Sequence, residues 1–212
     1  MKHAVRTLAE LAPDYVLAPE RHVLAAHAGA DEDAVPLGEL VVERRERVFA
    51  GAADDAVVLD TSHARDGILD VAGALRDGAG GKSAKKRALA GDLVVSRLRP
   101  YLRQIALVHP GALGVAGGRP IALSTEFYVL APREKGEHLA FLVPFLLSAA
   151  AQASLAGAQE GGHHPRVPRS SLFALRVPRA LLDGRVRTSR AVDEALAAAY
   201  RASTRLRSLL AT

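Results

Sequence analysis

The sequence predicts an α+β fold: one globular domain of many short, mostly antiparallel strands with packed helices, plus a C-terminal amphipathic helix. Three observations carry this reading. Short apolar and β-branched runs (VVL, LVVS, QIALV, FYVL) recur between clusters of Gly, Pro and Asp. After residue 138 the texture changes to apolar residues at helical spacing. The tail, Ser189 to Leu210, places Val192, Leu196, Ala199, Leu206 and Leu210 near one helical face, interrupted by Ser203. The 212 residues are 49% apolar and 24% charged, a globular composition long enough for one substantial core. Aromatics are 4% with no Trp, so that core is built mainly from Leu, Val and Ala. The domain is expected over 1–186 and a spacer or dimerisation helix over 187–212.

In chain order, residues 4–12 read as a short helix or an extended arm closed by Pro13, and Arg21 to Gly29 as a second short helix before an acidic turn. Val35 to Phe49 reads as a short helix or turn leading into a strand with Arg44, Arg45 and Arg47 exposed. Ala56 to Ser62 is a strand, and Asp66-Gly67 is a tight turn into another strand at Ile68 to Val71. Asp77 to Ala88 (DGAGGKSAKKRA) reads as a mobile surface loop. A strand follows at Leu93 to Arg97, broken by Arg-Pro-Tyr at 99–101, because proline removes a ladder donor and fixes φ. Gln104 to Val108 is the next strand, ended by a turn at His109-Pro110-Gly111. Ser124 to Pro132 alternates as a half-buried strand, and His138 to Gln159 as a helix with Pro144 near its first turn or at a break. A loop over 161–166 precedes a short turn and strand in SSLFALRVP.

Several function classes fall away. Without Cys there is no disulfide framework, thiolate metal site or cysteine nucleophile. The start lacks the apolar run of a signal peptide, and no run approaches the roughly eighteen residues of a membrane span, so a cytoplasmic location is expected. The Gly-Lys-Ser at 81–83 lacks the P-loop's first glycine, whose position holds Arg76, and leads into strand-like sequence instead of a helix. Adjacent His163 and His164 point apart on an extended chain and have only Glu160 near them, a poor metal site. Ser124, Ser170 and Ser171 lack a nucleophile-elbow context. No catalytic residue, metal or cofactor is expected.

Charge points elsewhere. Residues 1–80 carry 8 Lys/Arg against 15 Asp/Glu, whereas 81–212 carry 20 against 8. Such asymmetry fits either a polyanion-binding face in the later chain or a solvated arginine-rich surface. The cations gather in two segments: Lys85, Lys86, Arg87, Arg97, Arg99 and Arg103 around a single Asp92, then seven Arg between 166 and 190 around a single Asp183. Arginine reads guanine bidentately, and Gln104 or Gln159 reads adenine if suitably placed. Tyr101 is the one aromatic in the first block, too few for a single-strand stacking platform, so duplex DNA is the better partner class.

Five segments, in order over roughly residues 10–180, resemble the target-recognition domain of the specificity (S) subunit of type I restriction-modification enzymes. They are DYVLAPERH with VPLGELV, VVLDTSHARDGIL, KSAKKRALAGDLVVSRLRPYLRQIALV, ALSTEFYVLAP, and the long stretch from HLAFLVPFLL through GGHHPRVPRSSLFALRVP. Val167 replaces a common Ile and Pro168 is unusual. A full S subunit has two such domains joined by two long helices, so this chain resembles a half-subunit with a short spacer helix. The resemblance implies recognition of one half of a bipartite duplex target, with methylation and cleavage left to partner subunits such as the methyltransferase. It implies DNA contacts from Lys82, Lys85, Lys86, Arg97, Arg99, Tyr101, Arg103, Thr125, Glu126, His163, His164 and Arg166. Arg97 and Glu126 are equally suited to pair with each other across neighbouring strands. The alternative is a scaffold subunit of a defence complex that has lost DNA reading.

Overall fold

The computed structural model describes residues 33–48, 55–78, 84–161 and 165–210. The expected elements at 4–12 and 21–29 lie outside the described residues, as do most of the Gly-Lys loop, Lys82, His163 and His164.

Two four-stranded sheets form the body. The first contains β2 (Val41–Glu43), β8 (Leu93–Ser96), β9 (Ile105–Leu107) and β11 (Phe127–Pro132), in the order β2-β11-β8-β9 with every pair antiparallel. Leu93 to Ser96 and Phe127 to Ala131 are buried residue after residue. A strand covered on both faces needs a continuous apolar run, so β11 is not the half-buried strand that its alternation suggests. Tyr128 is buried too, its hydroxyl donating to the Val167 carbonyl at 2.8 Å.

The second sheet contains β3 (Arg47–Val48), β4 (Val57–Leu59), β7 (Lys85–Ala88) and β10 (Ile121–Leu123), in the order β3-β7-β10-β4. Only β10 and β4 run parallel, in the register Ile121 to Val57. The cationic Lys85–Ala88 is therefore a strand, not the end of a loop, because β10 on one side and β3 on the other complete its ladder. Two small ribbons complete the strands: β1 (Val35–Pro36) with β12 (Arg176–Val177), and β5 (Ala64–Arg65) with β6 (Ile68–Leu69). The latter pair closes over the expected Asp66-Gly67 turn, at φ 48° and 91°.

Helices pack around these sheets. α1 (Leu37–Leu40) precedes β2. Two helices occupy segments expected as strand, loop or turn. In α2 (Val71–Asp77) the Asp70 carboxylate accepts the Gly73 N–H at 2.8 Å, and in α3 (Pro110–Val115) His109 Nδ1 accepts the Gly111 N–H at 2.9 Å. Both caps satisfy backbone donors that the first turn leaves open. The expected helix at 138–159 is two, α4 (Leu142–Leu146) and α5 (Ala149–Gly157), split where Ser148 caps the second; Pro144 sits in the first turn of α4. α6 (Arg169–Phe173) and α7 (Arg179–Asp183) follow.

The last helix, α8 (Arg185–Leu210), begins four residues before the expected Ser189. Leu196 and Tyr200 bury against the body, but Leu206, Leu209 and Leu210 are exposed. Tyr200 is the main anchor. Its hydroxyl accepts the Leu69 N–H at 3.0 Å and donates to the Leu69 carbonyl at 3.2 Å, and its ring stacks on His109 at 5.6 Å. Arg44, expected to be exposed, instead grips the buried Asp92 through two hydrogen bonds of 2.8 and 3.1 Å. Asp92 also accepts the Leu89 N–H at 2.8 Å, so the lone acid of the basic block is a structural pivot.

Candidate nucleic-acid interface

The site starts where β8 ends. Ser96 Oγ accepts the Leu98 N–H at 3.1 Å, turning the chain out of the sheet, and Pro100 opens a single 3₁₀ turn over Pro100–Leu102. Arg99 and Arg103 flank that turn in the left-handed region, at φ 44° and 54°. Side chains other than glycine hold this conformation only when the surroundings impose it. Here Arg103 supplies the brace: its guanidinium donates to Asp66 at 2.6 Å and to the Leu147 carbonyl at 3.0 Å. The Asp66 N–H in turn donates to the Arg103 carbonyl at 3.2 Å, and Pro100 is buried beneath. The brace leaves Arg99 and Tyr101 pointing to solvent, Tyr101 with 66% of its surface exposed.

Beside this turn lies a cleft of about 450 Å³ whose walls include Arg99, Tyr101, Gln104, Gln159 and Thr61. The two glutamines named from sequence as adenine readers thus share one cleft with the exposed arginine. Gln159 Nε2 is buried there without a hydrogen-bond partner. An orphaned amide donor is costly, and an arriving acceptor relieves it once the amide rotates towards the cleft.

One wall is tied down from the far side. The Arg166 guanidinium clasps Glu126 through two hydrogen bonds of 2.7 and 3.0 Å, and that pairing holds the Glu126 carboxyl below the usual glutamate range while raising Arg166. Backbone bonds between Arg166 and Glu160, and from the Val167 N–H to the Arg97 carbonyl, lay this loop on the junction. The side-chain pair expected between Arg97 and Glu126 is therefore replaced. Arg97 meets Glu126 through its backbone N–H at 2.8 Å, and its guanidinium lies 5.3 Å over the Tyr128 ring.

The other predicted residues divide. Thr125 is exposed in the turn between β10 and β11. Lys86 spends its ammonium on the Phe127 carbonyl at 2.6 Å and on Glu43 at 3.3 Å, and burial lowers its pKa against the pull of Glu43. Lys85 is buried at 8% exposure and offers little surface to a ligand. Three participants escaped the sequence as a group: Glu43, Arg45 and Arg169. Glu43, its side chain 9% exposed, binds Arg45 at 3.2 Å, Lys86 at 3.3 Å and Arg169 at 3.1 Å. Only the excess of cations at 44–47 and in both basic segments hinted at this, since the carboxylate that gathers them sits on β2.

Among the described residues no three His, Asp or Glu side chains converge as a metal site, and no helix is long and apolar enough to cross a membrane. His63 is used structurally: its Nδ1 accepts the Asp60 N–H at 3.0 Å while Nε2 lies 3.0 Å from Asp77.

No protein-family profile and no curated protein matches the sequence. Solved structures do match in shape. One is a chain from a study of complex assembly and conformational transition of the type I R-M system, with TM-score 0.52 and 23% identity. The match covers 83% of the present chain and 44% of that one. Another is the HsdS subunit from Thermoanaerobacter tengcongensis, with TM-score 0.49, 22% identity and the same coverage of both chains. The present chain thus spans less than half the length of the chains it matches. The first likeness establishes a shared fold, the one that the five ordered sequence segments imply.

Proposed function

We propose that this chain binds duplex DNA sequence-specifically, as the specificity module of a type I restriction-modification or related phage-defence system. It recognises one half-site, and partner subunits carry methylation or cleavage. The observation that carries the reading is the braced Arg99–Tyr101 turn beside a cleft containing Gln104 and Gln159. A rigid mount for a guanidinium, a phenol and two amides is what base-edge readout requires, because specificity is lost when the reading groups are free to wander. The shared fold and the chain's likeness to S-subunit segments support the same reading.

The exposed Leu206, Leu209 and Leu210 recur at helical spacing on the free end of α8. A second copy, pairing there with twofold symmetry, completes a bipartite reader whose target is a split palindrome.

Selection of bound sequences from a randomised duplex pool tests the reading directly. The expected result is an enriched half-site, and enrichment lost in Arg99→Ala and Tyr101→Ala with unchanged thermal stability. Arg103→Ala is expected to lower both affinity and stability, since it removes the brace. No enrichment by the folded wild-type chain, alone or with its methyltransferase partner, refutes DNA reading and leaves the scaffold role.

A further inference from the structure

The three cations collected by Glu43 do not line the cleft beside the base-reading turn, and they outnumber the carboxylate that holds them. Arg45, Lys86 and Arg169 converge on one carboxylate. Arg97 and Arg47 lie close enough to Lys86 to depress its affinity for a proton. Arg97 also carries a buried Nε with no hydrogen-bond partner. The neighbouring Glu126 is already clasped by Arg166. Among the described residues this face therefore gathers Arg45, Arg47, Lys86, Arg97, Arg166 and Arg169 around Glu43 and Glu126.

Such a surplus is not scattered over flexible surface. Glu43 holds three cations in one place, Tyr128 lies under Arg97 and within 5.7 Å of the Lys86 ammonium, and Phe173 lies 4.0 Å from the Arg169 guanidinium. Side chains fixed this way lose little further entropy on meeting a ligand. Planar guanidinium forks pair bidentately with phosphate as they do with a carboxylate, and a phosphate has further acceptor oxygens left for the neighbouring cations. The outer members, Arg45 and Arg169, have side chains 72% and 46% exposed, so the ligand approaches from their side.

We propose that the Glu43-centred cluster of Arg45, Lys86, Arg97 and Arg169 is a phosphate-binding anchor, separate from the base-reading turn. If the DNA reading holds, the phosphate is one of the duplex backbone; the cluster then sets register and affinity and contributes nothing to sequence preference.

The test uses Arg45→Gln and Arg169→Gln, singly and together, with Arg190→Gln on α8 as a charge-matched control. Two readouts are taken: the salt dependence of binding to the selected duplex, and the shift in melting temperature by inorganic phosphate against chloride at equal ionic strength. A duplex anchor predicts that the log–log salt slope falls by about one for each cation removed, with affinity lost equally on selected and scrambled duplexes. The control should leave the slope unchanged. An unchanged duplex slope, with a phosphate-induced shift that the double variant abolishes, identifies free phosphate as the ligand. Equal slope losses in the control, or no change in either readout, overturn the anchor. If the wild-type chain retains no duplex, the DNA reading fails by itself, and the phosphate shift still decides this site.

Discussion

Replacing Tyr200 by Phe tests how α8 is held to the body. The ring and its stack on His109 remain, and only the hydroxyl is lost. That hydroxyl serves both polar groups of Leu69, a residue 1% exposed on β6. Water cannot reach the vacated position without opening the packing, so the Leu69 N–H loses its acceptor outright, while its carbonyl loses a donor. Leaving a buried polar group unsatisfied costs about 1–3 kcal/mol, against the smaller net worth of a hydrogen bond whose two partners both return to water. Taking about 2 kcal/mol, a domain of this size should melt about 4–8 °C lower.

The assay is urea denaturation followed by helical circular dichroism, with the m-value checked against wild type. Amide exchange at Leu69 should accelerate as its acceptor disappears. Tyr128→Phe supplies the internal comparison. There the hydroxyl serves one backbone group, the Val167 carbonyl, and its other partner is the Arg97 side chain, so no backbone N–H is orphaned and the loss should be smaller. A Tyr200→Phe chain within about 0.5 kcal/mol of wild type, with Leu69 exchange unchanged, would refute the reasoning: packing alone would then hold α8.

Three further outcomes follow from the same geometry. Gly111→Ala places a Cβ within 2.9 Å of three Tyr200 carbons and should cost about 1–3 kcal/mol by overpacking, measured by the same denaturation. Asp92→Ala removes the acceptor of the Leu89 N–H and strands the half-buried Arg44, so a loss of about 3 kcal/mol is expected; a loss under about 1 kcal/mol would show that the pivot is dispensable. Glu126 is held below its ordinary 4.5 by Arg166, so the unfolded chain binds this proton first; the pair's stability is present above that ordinary value and drains away as pH falls through the lower folded one. Arg166→Gln should flatten that part of the acid stability profile, and an unchanged profile would remove the pair from the linkage.

The body of the fold was legible where burial wrote it into local sequence. β8 and β9 follow continuous apolar runs, and the Asp66-Gly67 turn has its own chemistry. α2 and α3 were not legible because each is short and contains glycine, so neither shows helical periodicity; Asp70 and His109 start them by capping. β7 was hidden by a Gly-Lys run before it and by cations within it. β10 drew no notice as a strand, since its three residues are completed by neighbours distant in sequence. At the site, the turn at Arg99–Tyr101 was readable from Pro100. The partner of Glu126 was not, because Arg166 arrives from a loop forty positions away that is placed by backbone bonds to Glu160 and Arg97.

The same distinction reorganises the basic block. Six cations between Lys85 and Arg103 appear as one polyanion surface when only charge is counted. In the fold, Lys85 is buried, Lys86 serves Phe127 and Glu43, Arg87 pairs with Glu46, Arg97 covers Tyr128, and Arg103 braces Asp66 and Leu147. Among the described residues, Arg99 alone of the six has no side-chain partner. A cation already committed to a carboxylate yields little on meeting a phosphate unless the local charge remains in excess. That excess is found not along the block but across strands, where Glu43 draws Arg45 and Arg169 to Lys86. On the proposed reading, Arg99 is the block's uncommitted cation and Lys86 and Arg97 join the excess charge around Glu43, while Lys85, Arg87 and Arg103 are taken up by the fold itself.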